Sequence, residues 1–160
     1  MKVVFDSNVY VSALLTPGGV ADQAIRAATR HGLEVFISRP ILEEMLEVLS
    51  RKFARSPGEL ARTALYVASL AHLVAPLRRV RVLADEPDNR VLECAAEAEA
   101  HAVVTGDRRM LLLGMWEGVE LISLRQFVDR VERPGEVRQS ISRYAIPKPR
   151  RRGKAVSSAV

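Results

Sequence analysis

The sequence predicts an α/β protein, a three-layer α/β/α sandwich around a central, mainly parallel sheet. Two observations carry this. Short apolar runs alternate along the chain with longer stretches of helical period, the pattern of βαβ units. Two of those runs, Val3-Val4-Phe5 and Ala102-Val103-Val104, are apolar without alternation, as strands covered on both faces are. At 160 residues the chain is long enough to bury a real core in one domain, expected over residues 1–132. Residues 133–160 are expected to form a separate basic tail.

The elements follow in order. Lys2–Phe5 reads as a strand and Asn8–Leu15 as a helix, stopped by Thr16-Pro17-Gly18-Gly19. Ala21–His31 is helical with Gly32 as its stop, and Glu34–Ile37 is a second strand. Ile41–Phe53 has apolar residues at 41, 45, 48, 49 and 53, a helical stripe. Ser56-Pro57-Gly58-Glu59 carries a capping box and a first-position proline, so a helix starts there and runs to about Leu73. Its residues Leu65, Ala68, Ser69 and His72 share one side, read as core packing in preference to a dimer face. Val80–Leu83 reads as a weak strand, Asp88–Ala100 as a helix and Ala102–Thr105 as a strand. Arg109–Leu113 is a short helix, Val119–Ile122 the last strand and Leu124–Val131 the last helix. Beyond Arg133-Pro134-Gly135 the periodicity fades, and the Pro- and Arg-rich end reads as extended or disordered.

Composition excludes several classes. No apolar run approaches the ~18 residues of a membrane span, and Val3–Phe5 is too short for a signal segment, so a cytoplasmic location is expected. The single Cys94 excludes an internal disulfide and a cysteine zinc site. His31, His72 and His101 lack metal-ligand spacing. Net charge is +5, but residues 137–160 contain seven basic residues and no acid, leaving the rest at −2. The basic character therefore belongs to the tail. There, Arg150, Arg151, Arg152 and Lys154 are candidates for non-specific phosphate contacts that weaken with salt.

Four acids carry the functional signal: Asp6, Glu44, Asp88 and Asp107. Asp6 and Asp107 leave the carboxyl ends of buried strands, where open α/β sheets keep their ligands. Each Asp also has a capping explanation. Asp6 and Asp107 precede helices, and Asp88 stands third after Asp85. Helical geometry argues for more than capping. Asp88 shares a face with Val91, Leu92 and Ala95, and Glu44 lies about 40° from Val48 at the edge of the apolar stripe. Glu43 and Glu47 fall on the opposite, solvated side. Inward carboxylates are costly unless paired or bound to a cation, and together they call for a hard divalent ion, Mg²⁺ or Mn²⁺. Asn8 and Thr105 stand two residues from an acid, placed to orient a carboxylate or a water. Gly106 is expected to allow a sharp turn beside a ligand.

The segments Val4-Phe5-Asp6-Ser7-Asn8-Val9, Ser38–Leu49, Asp85–Ala96 and Val103-Val104-Thr105-Gly106-Asp107 together resemble the PIN domain, and closely its toxin branch related to VapC-like toxins. The likeness covers about residues 1–130. It implies the α/β/α sandwich and a metal-dependent ribonuclease that hydrolyses phosphodiester bonds in single-stranded or looped RNA. By motif match Asp6, Glu44, Asp88 and Asp107 become the acidic quartet, with Asn8 and Thr105 in support. It also implies a homodimer and a cognate antitoxin as partners. The branch often reads Asp-Pro-Asp-Asp where this chain has Asp85-Glu86-Pro87-Asp88, so Asp85 and Asp88 both stand as the third acid; the apolar face favours Asp88. A PIN fold that only binds RNA or protein, an RNA-processing nuclease and a small-molecule phosphatase are the rivals. The phosphatase reading is weakened because Asn8 stands where such enzymes often place a second Asp. No Gly-rich phosphate loop is present, since Pro17-Gly18-Gly19 lacks the Lys-Ser/Thr signature.

Overall fold

A computed structural model describes residues 1–134. Six strands form one sheet in the order β3-β2-β1-β4-β6-β5. The four inner strands are β2 (Glu34–Ser38), β1 (Lys2–Phe5), β4 (Ala102–Thr105) and β6 (Val119–Ser123), and all pair in parallel. The edges are β3 (His72–Val74), parallel to β2, and β5 (Met115–Trp116), antiparallel to β6. The fold is thus the expected α/β/α sandwich with a mostly parallel sheet.

The central strands are apolar because both of their faces are covered. Val3, Val4, Phe5, Ala102, Val103 and Val104 are all fully buried. Against Phe5 the rings of Tyr10 from α1 (Ser7–Leu15) and Phe127 from α7 (Leu124–Glu132) close edge-on, at 6.0 and 5.4 Å between centroids. Edge-to-face rings of this kind add about 0.5–1.5 kcal/mol beyond their burial. Helix α2 (Val20–Arg30) packs on α1 and α7, while α5 (Glu86–Glu97) lies on β1, β2 and β4. Helix α3 (Arg39–Phe53) touches α1, α4 (Pro57–Leu70) and α5, with Ile41, Met45 and Leu49 buried. The short α6 (Arg108–Leu113) follows β4.

The start signal at Ser56 forms as read. Ser56 Oγ accepts from Glu59 N, and Glu59 accepts in turn from Ser56 N at 2.8 Å.

Four expectations are corrected. Val80–Leu83 is not a strand, because side chains of α5 take its backbone groups. Val80 N donates to Glu93, and Val82 N and Leu83 N both donate to Asn89 Oδ1. The edge strand instead comes from His72–Val74, which had been read into the preceding helix. That helix stops at Leu70, and Ala71 is extended at φ −134°, ψ 147°, so the chain pairs Phe36, Ile37 and Ser38 of β2 with His72, Leu73 and Val74. The side of α4 read as core is exposed: Leu65, Ala68 and Ser69 face outward, Val67 is the helix's buried residue, and His72, exposed as well, belongs to β3. Finally, Met115–Trp116 is a strand that periodicity missed at two residues long. It turns into β6 through Glu117 and Gly118, both at positive φ, the conformation a two-residue hairpin needs.

The described residues contain no helix long and apolar enough to cross a membrane. Arg150, Arg151, Arg152 and Lys154 lie outside the described residues.

Candidate active site

The parallel strands end together at one edge of the sheet, and α1, α3, α6 and α7 each follow directly from one of the four inner strands. The strand order reverses between β1 and β4, which forces a crevice at their carboxyl ends. Asp6 follows β1 and Asp107 follows β4. Asp88 stands in the first turn of α5, and Glu44 on α3, which packs against both α1 and α5.

Asp6 is the most deeply placed, 3% exposed. Its backbone N–H continues the ladder to Val104 O at 3.0 Å. Although it holds the cap position of α1, its side chain makes no capping bond. Instead the Thr105 hydroxyl donates to Oδ2 at 2.8 Å and the Ser7 hydroxyl donates to Oδ1 at 3.3 Å. Burial still pushes the Asp6 carboxyl above its ordinary range, against those hydroxyls and the backbone N–H groups of Asn8 and Ser7.

Thr105 is fully buried and links two of the acids. While donating to Asp6, its Oγ1 accepts from Asp107 N at 3.0 Å. Asp107 does cap α6, its Oδ1 accepting from Arg109 N at 2.7 Å and Met110 N at 3.3 Å. Its Oδ2 is left over, 3.7 Å from the Arg109 guanidinium. Capping and membership of the acidic cluster are therefore compatible for Asp107.

Asp88 is half-buried, and its carboxyl is raised to about 6, first by burial and then by the charges of Asp107, Asp6 and Asp85; Arg109 opposes the rise. Asp85 begins no capping box, since its side chain makes no capping bond. It pairs directly with Arg109 instead. Glu44, also half-buried, is raised by burial and by the charges of Asp6 and Glu47, with the Ser7 hydroxyl working the other way. Asp6, Asp88 and Asp107 thus form one electrostatically coupled group, joined by Glu44 through Asp6.

Asn8 is exposed, and its backbone N–H, short of a capping bond, works only to lower the Asp6 carboxyl. Gly106 does not need its conformational freedom. Its φ is not positive, and a Cβ there would meet nothing within 4 Å. Two contributors escaped the sequence reading. Ser7 was passed over because a serine after a strand is an ordinary helix start. Arg109 was read only as the first residue of a helix, because pairing across 24 residues leaves no local signal.

The donor set suits a hard divalent cation. All four candidate ligands are carboxylates, three of them held above their ordinary range by burial, with like charge adding to it at Glu44 and Asp88, and Arg109 is already shared with Asp85. Among the described residues no three acid, histidine or cysteine side chains already close a cage. An ion held here would keep several waters, as Mg²⁺ does.

The family model described as PIN domain matches residues 2–109, which include all four acids. An uncharacterized protein of Methanocaldococcus jannaschii is 27% identical over 117 residues, covering 71% of this chain and 75% of that protein.

Proposed function

The chain belongs to the PIN domain family, and we propose that it is a metal-dependent endoribonuclease that hydrolyses phosphodiester bonds of single-stranded or looped RNA. PIN domains are typically nucleases. The observation that carries the finer reading is the coupled group of buried and half-buried carboxylates at the sheet's switch point.

In this reading Asp6, Glu44, Asp88 and Asp107 hold Mg²⁺ or Mn²⁺. Bound there, the ion supplies a water of lowered pKa and offsets charge on the phosphate. The protein's own residues do the positioning. Thr105 and Ser7 fix the two oxygens of Asp6. Thr105 also holds the Asp107 backbone, and the α6 cap holds Asp107 Oδ1, so Oδ2 points at a constant place. Asp85 takes up one guanidinium nitrogen of Arg109 and keeps that cation at the mouth, suited to an RNA phosphate. This leaves Asp88 as the third ligand. The N-termini of α1 and α5 open on the same edge, where their N–H groups favour an anion.

We further place the chain in the VapC-like toxin branch, silenced by a cognate antitoxin and acting as a homodimer. The four motifs in family order support this, as does the outward apolar face of α4 at Leu65 and Tyr66. A small neighbouring reading frame for a DNA-binding protein would support the toxin role, and its absence would favour an RNA-processing nuclease.

The deciding experiment is cleavage of a labelled single-stranded RNA with Mg²⁺, with Mn²⁺ and with EDTA, beside Asp6→Asn and Asp107→Asn. Cutting that needs metal and disappears in both variants is expected. Cutting that survives both substitutions would place the chemistry elsewhere, and no cutting by folded protein on varied RNAs would favour a binding module.

A further inference from the structure

Beside the acidic site lies a cavity that the hydrolytic chemistry leaves unused. It has a volume of about 340 Å³ and opens past the carboxyl ends of β2 and β3. Pro40, Val74, Ala75 and Pro76 make its walls apolar, and Arg79 and the buried Glu93 supply polar groups. Its size and its few convergent polar groups are those of a small-ligand pocket. Resting on the reading above, we propose that it is a base subsite, which takes an unstacked guanine of the RNA strand next to the scissile phosphate.

Position is the first argument. Ser38 closes β2, the neighbour of β1 that leads into Asp6, and pairs in register with Val74. Adjacent strands lie about 4.8 Å apart, so the cavity begins one strand away from the acidic centre. Pro40 lines both this cavity and the groove that contains Glu44. A strand whose phosphate sits at Asp6 and Glu44 reaches the cavity over Pro40.

Chemistry is the second. Single-stranded RNA is read by splaying bases out, seating them on apolar or guanidinium surfaces and bonding their edges. The Arg79 guanidinium, mostly exposed, can lie over a base seated against Val74 and Pro76. Glu93 selects the base. Its side chain is 3% exposed, and Oε1 is occupied by Val80 N at 2.7 Å and Arg90 at 3.0 Å. Among the described residues Oε2 has only the long 3.5 Å contact from Arg79. A carboxylate oxygen with spare acceptor capacity calls for N–H donors. Guanine alone among the four bases presents two adjacent donors on one edge, its N1–H and its 2-amino group. Cytosine and adenine place an acceptor beside their donor, and uracil flanks its one N–H with carbonyls. The buried Ser38 hydroxyl, beside the Cys94 thiol, sits at the same wall.

The test uses the full chain without metal and the four free nucleosides. With no phosphate on the probe, the basic tail and the acidic centre contribute little. Guanosine at millimolar concentration is expected to shift the backbone amide signals of 73–75 and 79 in nuclear magnetic resonance spectra. Uridine is expected to bind roughly tenfold more weakly, the effect of losing a hydrogen bond to a charged group. Ala75→Trp fills the cavity from an exposed position and should abolish the shifts, and Arg79→Ala should weaken them. Circular dichroism checks that both variants fold. No shift with guanosine, shifts unchanged in Ala75→Trp, or equal affinity for all four nucleosides would each overturn the subsite. The RNA cleavage assay reports separately on the nuclease. A chain that binds guanosine but cuts no RNA keeps the cavity's ligand and loses the hydrolytic reading. A chain that cuts RNA but ignores guanosine loses only the subsite.

Discussion

Asp88 shows what the site costs the protein. Its carboxyl is raised to about 6 against an ordinary 3.8. Between those pH values the folded chain binds more protons than the unfolded one, so stability falls as pH rises through that window. Asp6 and Glu44 are also raised, so their contributions have the same sign. Thermal unfolding of metal-free protein should therefore show a higher midpoint near pH 4.5 than near pH 7. Asp88→Asn should raise the midpoint of metal-free protein at pH 7 while removing cleavage. A variant that loses activity and is also less stable would contradict this account of the repulsion. Thr105 makes a second case. Thr105→Val keeps the shape but leaves Asp6 Oδ2 and Asp107 N without their partner, at a cost of about 1–3 kcal/mol. Thr105→Ser should restore most of both stability and cleavage, which a purely volumetric role would not predict.

At the scale of elements, α5 does two jobs. Its first turn presents Asp88, and its next turns bind the segment 80–83 through Asn89, Arg90 and Glu93. Asn89→Ala should expose the amides of Val82 and Leu83 to hydrogen exchange by orders of magnitude more than those of β1. Unchanged protection there would mean that the segment is held by something other than the Asn89 amide. The segment also explains a limit of pattern reading. Val80-Arg81-Val82-Leu83 has strand composition, but strand propensity reflects fit to a half-buried pleated surface. Here side chains of a helix satisfied the backbone first. His72–Val74, by contrast, looked helical because nothing local distinguishes Ala-His-Leu-Val from a helix end. The same element view covers α4, where losing the Ser56 capping box by Ser56→Ala should cost about 1 kcal/mol.

For the whole molecule, one helical layer is fastened to the sheet where Phe5 meets the rings of Tyr10 from α1 and Phe127 from α7. Phe127 is fully buried, so Phe127→Ala should cost about 3–5 kcal/mol in denaturant unfolding. A divalent ion bound only by the folded chain should stabilise it, by about 2.7 kcal/mol at a hundredfold excess over the dissociation constant. That gain should vanish in Asp6→Asn. We keep the proposal that residues 133–160 form a basic tail apart from the domain at 1–132. Ending the chain after Pro134 should weaken RNA binding and flatten its salt dependence, and an unchanged salt slope would remove the tail from RNA binding. What the sequence by itself determined was the α/β class, both central strands and where the four candidate acids stand on the elements. Each of these is written in local period or in a short motif: unbroken apolar runs for strands covered on both faces, and carboxylates placed at strand ends or on apolar helix faces. Only the tertiary structure decided the edge strands, the outward face of α4, and the parts played by Ser7, Arg109 and Glu93. Those depend on partners dozens of residues away, and a partner's position in space leaves no periodic trace in the chain.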